Sequence, residues 1–260
     1  MSAFNIIIEK LRTNSLFSLL GKIICYPFNF KYRLQYKEML KKRLIKNRFN
    51  EIYKKNLWRS KETRSGEGSE LNYTLPLRKW LIRKLKKLKI KILVDAPCGD
   101  FNWMKMIISK TNIYYFGLDI VNSVIKKNKL YSNTKTSFKV ANICKDPLPK
   151  CDLLMVRDCL FHFSYKDIDK FLKNISKTKF KYLLITNHIV EKNFMNRDII
   201  TGDFRKINLF RYPFNFNNKK VAGRVKDCPK GHRPLREMIL IRKKNVPMSL
   251  NYEQKQISNI

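Results

Sequence analysis

The chain contains no unbroken apolar run of the ~20 residues that a membrane-crossing helix needs. Its first apolar stretch, Ser15 to Phe30, is interrupted by Lys22 and has no cleavage-like site after it, so neither a spanning segment nor a cleaved leader is indicated. Six cysteines, Cys25, Cys98, Cys144, Cys151, Cys159 and Cys228, lack paired spacing. That argues against a disulfide framework, and thiols in apolar segments behave as small hydrophobes suited to a reducing compartment. Cys228-Pro-Lys-Gly-His232 comes nearest to a metal motif, but a tetrahedral zinc site needs four ligands and no second Cys or His pair is spaced to supply them. No metal is therefore expected. No internal repeat is visible, and no G-x-G-x-x-G is present to cradle the pyrophosphate of a nicotinamide dinucleotide.

Acidic residues are also scarce: 20 Asp and Glu face 56 Lys and Arg, a formal net charge of +36. Such a balance raises the local concentration of polyanions, so RNA and an acidic membrane surface are possible partners. Compositional drift explains it equally well, because Lys, Asn and Ile abound throughout. An apolar fraction of 44% over 260 residues supports a core and sets the chain apart from disordered sequences. The length suits one α/β domain with an extension.

What is present divides the chain into three. Residues 1–57 read as a basic helical extension, with Lys31 to Phe49 placing apolar residues near helical spacing; such a helix could lie on anionic lipid or pack one face on the core. Residues 58–245 carry the domain. A polar loop, Trp58 to Tyr73, precedes an amphipathic segment, Leu75 to Leu88. The pattern then alternates: strands at Lys91 to Asp95, Ile113 to Asp119, Ser137 to Val140, Asp152 to Val156 and Tyr182 to Thr186, with helices at Trp103 to Lys110, Ser123 to Leu130 and Tyr165 to Thr178. Strands separated by helices imply a mainly parallel sheet with right-handed crossovers. Lys219 to Val225 and Glu237 to Arg242 read as an antiparallel pair. Residues 246–260 form a polar tail expected to fray.

Two strands end in acid: KILVDAPCGDF from Lys91 and YYFGLDI from Tyr114. A parallel sheet presents polar groups at such strand ends, where ligands bind. Five strands in βα alternation closed by an antiparallel pair, with these acid tips, resemble a class I S-adenosylmethionine-dependent methyltransferase over roughly Leu57 to Arg242. The resemblance implies a seven-stranded, mostly parallel, Rossmann-like sheet and S-adenosyl-L-methionine as cofactor. VDAPCGDF is similar to the family's Gly-rich first motif, retaining one of three usual glycines, and this implies that Asp95, Cys98 and Gly99 wrap the methionine portion. Asp119 would hold the ribose hydroxyls and Asn142, where Asp is commoner, would sit beside the adenine. A carboxylate is acceptor-only, so one Asp can take both hydrogen bonds from a ribose diol. More specifically, WRSKETRSGEGSE, DAPCGDFNWM, KDPLPKCDLLMVRDCLFHFS and TGDFR resemble a bacterial methyltransferase subgroup that accompanies genes for surface polysaccharides.

Further candidates surround this frame. Arg64, Ser65 and Gly68 could cover the cofactor's carboxylate, a task that suits a guanidinium's planar fork. Arg157, Asp158 and His162 follow the fourth strand, the edge that the resemblance implies would face the transferred methyl group; Asp158 would orient the acceptor, with His162 or Asp158 as base. His162, between Phe161 and Phe163, could equally be a core histidine with a satisfied ring. Thr201 to Arg205 and the aromatic stretch Tyr212 to Phe216 are expected in the acceptor pocket. The leading expectation is O-methylation of a glycan or small molecule by a cytoplasmic or membrane-peripheral enzyme. RNA is the alternative acceptor, although Arg157-Asp158-Cys159-Leu160 stands where a base-amine RNA methyltransferase commonly has an Asn-Pro-Pro-Tyr-like segment. A methyltransferase-like domain that binds without catalysis is the third reading.

Overall fold

The computed structural model describes residues 32–229, 231–232 and 234–252. The apolar stretch Ser15 to Phe30, Cys25 and residues 253–260 lie outside them. The seven strands are β1 (Ile92–Asp95), β2 (Tyr114–Asp119), β3 (Thr136–Val140), β4 (Leu153–Val156), β5 (Tyr182–His188), β6 (Val221–Lys226) and β7 (Arg236–Arg242), in sheet order β3-β2-β1-β4-β5-β7-β6. β1 to β5 run parallel; β7 is antiparallel to both β5 and β6. This is the expected α/β sheet with its terminal antiparallel pair. β5 runs two residues past the expected end because Asn187 and His188 continue to pair with Glu237 and Arg236 on β7.

Alternate side chains divide between the two faces, as a two-residue period requires. Leu154, Val156, Leu183 and Ile185 join one apolar cluster, while Leu153, Met155 and Leu184 join the other. Two helices before the sheet are α1 (residues 32–40) and α2 (Ile45–Lys55), broken at 41–44 where one basic helical run was expected. Then come α3 (Leu71–Lys87), α4 (Lys105–Ile108), α5 (Asn122–Asn128) and α6 (Tyr165–Lys177). α2 buries Phe49, Ile52 and Tyr53 in the first cluster together with Ile168, Phe171, Leu172 and Ile175 of α6. Each fully buried side chain of this size stabilises the fold by roughly 1.5–3 kcal/mol. The second cluster takes Leu77, Leu81 and Leu85 from α3.

Other departures from the expected pattern also have physical reasons. α3 starts at Leu71, ahead of the expected Leu75, because Glu62 accepts the Leu71 N–H at 2.9 Å and satisfies an orphan donor of the first turn from outside the helix. α4 shrinks to four residues, since Met106 and Ile107 bond three residues back, to Trp103 and Met104, in tighter turns. The tail is docked as far as it is described: Leu250 is buried and its N–H donates to Asp169 at 2.9 Å. α6 begins as Ser164 and Asp167 dictate, the Ser164 Oγ accepting the Asp167 N–H at 3.2 Å. No helix among the described residues is long and apolar enough to cross a membrane.

Candidate active site

The strand order reverses between β1 and β4, and in open α/β sheets a crevice forms at that switch point beyond the carboxyl ends of the strands. Here one pocket draws its floor from the tips of β1, β2, β3 and β4: Asp95, Cys98 and Gly99, then Asp119 to Val121, then Ala141 to Ile143, then Arg157 to Cys159. Asp95 and Asp119 are both buried yet line this pocket. Tyr115 donates to Asp95 at 2.8 Å. Asp119 accepts the N–H of Val121 on Oδ1 at 2.9 Å and that of Gly99 on Oδ2 at 3.1 Å, the Ile120 N–H also acts on it, and the carboxylate keeps acceptor capacity toward the pocket. Desolvation pushes Asp95 up to about 7, against the pull of Tyr115 and Arg157. Burial likewise pushes Asp119 up to about 6, the backbone N–H groups opposing. Burial also raises the Cys98 thiol, leaving it an uncharged wall.

Gly99 adopts φ +55°, and a Cβ there would sit 2.4 Å from the Ser65 Oγ. The glycine thus makes room for the protein's own loop. The 58–70 loop is pinned to this turn by Asp100, whose carboxylate accepts from the Thr63 Oγ1 (2.6 Å), the Ser65 Oγ (2.9 Å) and the Arg64 N–H (2.9 Å). Ser65 also bonds the Tyr53 hydroxyl at 2.6 Å. Ile45, Phe49 and Tyr53 of α2, at four-residue spacing, roof the pocket with Trp58. Sequence reasoning missed this roof, although its helical spacing was visible.

The β4 edge carries a quartet of charges, Arg157 and Asp227 buried and Asp158 and Arg236 partly so. Arg157 grips Asp227 with Nε at 2.8 Å and Nη2 at 3.0 Å, donates to the Gly68 carbonyl at 2.6 Å, and stands 3.3 Å from Asp158. Arg236 reaches the same Asp158 carboxylate at 3.0 Å. Burial alone would raise the Asp158 carboxyl, but the two guanidiniums outweigh it and hold it below the ordinary value. His162 lines the pocket beside Trp58, ring centroids 5.5 Å apart. Its Nδ1 lies 2.8 Å from the Asp203 carbonyl; a carbonyl only accepts, so Nδ1 carries the proton and Nε2 keeps its lone pair. Burial lowers His162 to about 4, the Asp203 bond opposing. The ring is therefore half satisfied, uniting parts of both expectations.

Asp95, Cys98, Gly99, Asp119, Asn142, Arg157, Asp158 and His162 all meet at the pocket. Asn142 spends its Oδ1 on the Cys144 N–H. Arg64 and Gly68 are outside the lining. The Arg64 side chain is exposed and only its backbone is engaged, while Gly68 serves the quartet through its carbonyl; Ser65 and Ser69 are what the loop gives the pocket wall. Arg157 lines the pocket, but with its guanidinium committed to protein partners. Phe214 and Phe216 are buried in the core and Tyr212 is exposed, so the aromatic stretch forms no pocket wall. Thr201 and Arg205 are buried behind His162. Asp227 and Arg236, 70 and 78 residues from their partners, gave no local signal. Cys98, Cys144, Cys151, Cys159 and Cys228 are free and buried, His232 faces Glu67, and among the described residues no three metal-ligating side chains converge.

The mixed seven-stranded sheet with helices around it is a Rossmann-like fold of the kind found in methyltransferases. Among solved structures, the chain is similar to human N-acetylserotonin methyltransferase in complex with SAM, at TM-score 0.50 and 14% identity, covering 75% of this chain and 58% of that one. It is also similar to the mitomycin 7-O-methyltransferase MmcR (TM-score 0.46, 13% identity, 59% of this chain, 49% of that). A third is the magnesium protoporphyrin IX methyltransferase of Synechocystis PCC 6803 with bound SAM (TM-score 0.48, 9% identity, 64% of this chain, 77% of that). The chain spans about half to three-fifths of the length of the first two. No protein-family model and no curated protein matches it.

Proposed function

We propose that the chain is an S-adenosylmethionine-dependent methyltransferase acting on a hydroxyl of a glycan or small molecule. One observation carries the reading: Asp95 and Asp119, on adjacent strands and separated by a single positive-φ glycine, open onto one pocket with acceptor capacity to spare. The residues fit the cofactor. Asp119 retains acceptor capacity for a ribose diol, Asn142 keeps its amide NH₂ for an adenine edge, and buried carboxylates suit a cationic ligand. Arg64 and Gly68 have no part in this binding set.

When bound, S-adenosylmethionine supplies an electrophilic methyl group. The chain's own part is to align an acceptor in line with that group and take its proton. His162 is unprotonated at neutral pH and takes the acceptor's hydroxyl proton at Nε2. Asp158, stabilised as a carboxylate by Arg157 and Arg236, is a weak base and orients the hydroxyl by accepting its hydrogen bond.

The support for a glycan as acceptor, made in the cytoplasm with the basic N-terminal helices against an anionic membrane, is the resemblance of these motifs to a polysaccharide-associated subgroup. RNA draws support from the net charge of +36, but the pocket sets three carboxylates against one committed arginine. Calorimetry with S-adenosylmethionine is the first test, since a chain without affinity for it cannot be a transferase. Labelled cofactor incubated with separated glycan and RNA fractions then identifies the acceptor. Unchanged turnover in both Asp158→Asn and His162→Ala would remove the roles given to these residues.

A further inference from the structure

The expected acceptor loop, Thr201 to Arg205, has a different task. Its inner face is zipped to the segment that carries His162: the Gly202 N–H donates to the His162 carbonyl (2.7 Å), the Arg205 N–H to that of Phe161 (3.1 Å), the Arg205 Nη1 to that of Phe163 (2.6 Å), and the Thr201 Oγ1 accepts the Ser164 N–H (2.8 Å). The Asp203 carbonyl fixes the His162 tautomer. Its outer face is held by the N-terminal helices. The Tyr36 hydroxyl donates to the Gly202 carbonyl at 2.7 Å, and the Arg48 Nη1 to the Thr201 carbonyl at 2.8 Å. Gly202, at φ +105°, allows this approach: a Cβ there would come within 3.3 Å of the Met39 Sδ and 3.4 Å of the Arg48 Cδ.

We propose that Tyr36 and Arg48 are positioning residues that set the His162 ring through the strap of residues 201–205, making α1 and α2 part of the catalytic apparatus. The inference rests on His162 serving as the base of the reaction proposed above. The two helices act twice: α2 roofs the pocket with Ile45, Phe49 and Tyr53, and Tyr36 and Arg48, neither of them in the pocket wall, fasten the strap behind the base. Either bond alone removes a carbonyl's freedom to turn; together they hold the peptide units on both sides of Gly202, and so the Asp203 carbonyl that Nδ1 addresses.

The test needs no acceptor. His162, His188 and His232 are the only histidines, so in ¹⁵N-histidine spectra of the full chain each ring is assigned by its own substitution. His162 should show a protonated Nδ1 and a bare Nε2. In the double variant Tyr36→Phe/Arg48→Gln, both resonances should move toward the averaged positions of exchanging tautomers, and Arg48→Lys should restore most of the shift. Tyr36→Phe alone, which removes only a hydroxyl, gives the same shift at smaller amplitude and serves if the double variant fails to fold. A folded variant with the His162 resonances unmoved overturns the proposal. Calorimetry of the wild-type chain with S-adenosylmethionine reads the underlying function separately: a tautomer shift in a chain that does not bind it keeps the latch and removes the reaction it serves.

Discussion

At one sheet edge the molecule draws two pairs of carboxylates out of water, Asp158 only in part, and treats them in opposite ways. Asp158 and Asp227 are matched by Arg157 and Arg236, with every bidentate and single contact made inside the protein. Asp95 and Asp119, at the tips of β1 and β2, have no guanidinium bonded to them; a tyrosine and backbone N–H groups are their partners. Burying charge without a countercharge is costly. The protein bears that cost where the pocket opens, and leaves acceptor capacity there. The saturated pair builds the wall, and the unsaturated pair faces the cavity with acceptors free.

The sharpest way to break the contrast is Asp119→Ala. Two hydrogen bonds from a ligand diol to a carboxylate are each worth about 1.5–3 kcal/mol, so affinity for S-adenosylmethionine should fall at least ~100-fold by calorimetry. The apo chain should also melt lower, because the Gly99 and Val121 N–H groups lose their acceptor. Asp227→Ala should show the opposite balance. Removing one partner of a buried pair costs roughly 3–5 kcal/mol, seen as a large drop in melting temperature. In whatever folded fraction remains at low temperature, cofactor affinity should change far less than in Asp119→Ala.

The two pairs were not equally legible in the sequence. Asp95 and Asp119 end apolar runs, and strand ends in a parallel sheet share one edge, so the pattern alone placed them together. The quartet depends on a contact between the end of β4 and a hairpin some 70 residues later, and nothing in local spacing announces which buried arginine meets which aspartate. The roof sits between these cases. Ile45, Phe49 and Tyr53 repeat at helical spacing, so that α2 has an apolar face was visible. What that face covers was set by tertiary packing. Thr201 to Arg205 stood out as a motif, but its role lies in backbone carbonyls and N–H groups, which a sequence does not display.

Opposite pH trends sharpen the comparison next. For Asp95 the folded value, about 7, lies above that of an unfolded aspartate, so the native state holds an extra proton between about pH 4 and 7 and its contribution to stability falls as pH rises through that window. His162 and His188, lowered by burial to about 4 and about 3, act the other way: the unfolded state binds their protons, and stability rises with pH from about 3 to about 6.5. Because these trends offset in wild type, the informative quantity is a difference. Asp95→Asn should gain stability relative to wild type as pH climbs from 5 to 8, followed by thermal melts, whereas His162→Gln should lose its pH-dependent penalty below 6. A difference between wild type and Asp95→Asn that does not vary with pH would show that Asp95 is already ionised in the folded apo chain. Affinity of the wild type for the cationic cofactor should rise over the same interval.

The smallest expected effect tests where the 58–70 loop does its work. Arg64 has the charge and planar fork suited to a cofactor's carboxylate, but its side chain is exposed, and surface substitutions away from special features stay within about 0.5 kcal/mol. Ser65, beside it, bonds Tyr53, accepts the Asp100 N–H at 2.9 Å and donates to the Asp100 carboxylate; it joins roof, loop and turn at one oxygen. Arg64→Ala should therefore leave S-adenosylmethionine affinity within about twofold, a change of about 0.4 kcal/mol at most. Ser65→Ala, which strands the Asp100 N–H and loosens the turn that carries Gly99, should weaken affinity several-fold. If the ranking is reversed, the loop closes on the ligand by swinging the guanidinium inward, and the open pair of carboxylates would have a cationic partner that arrives only with the cofactor.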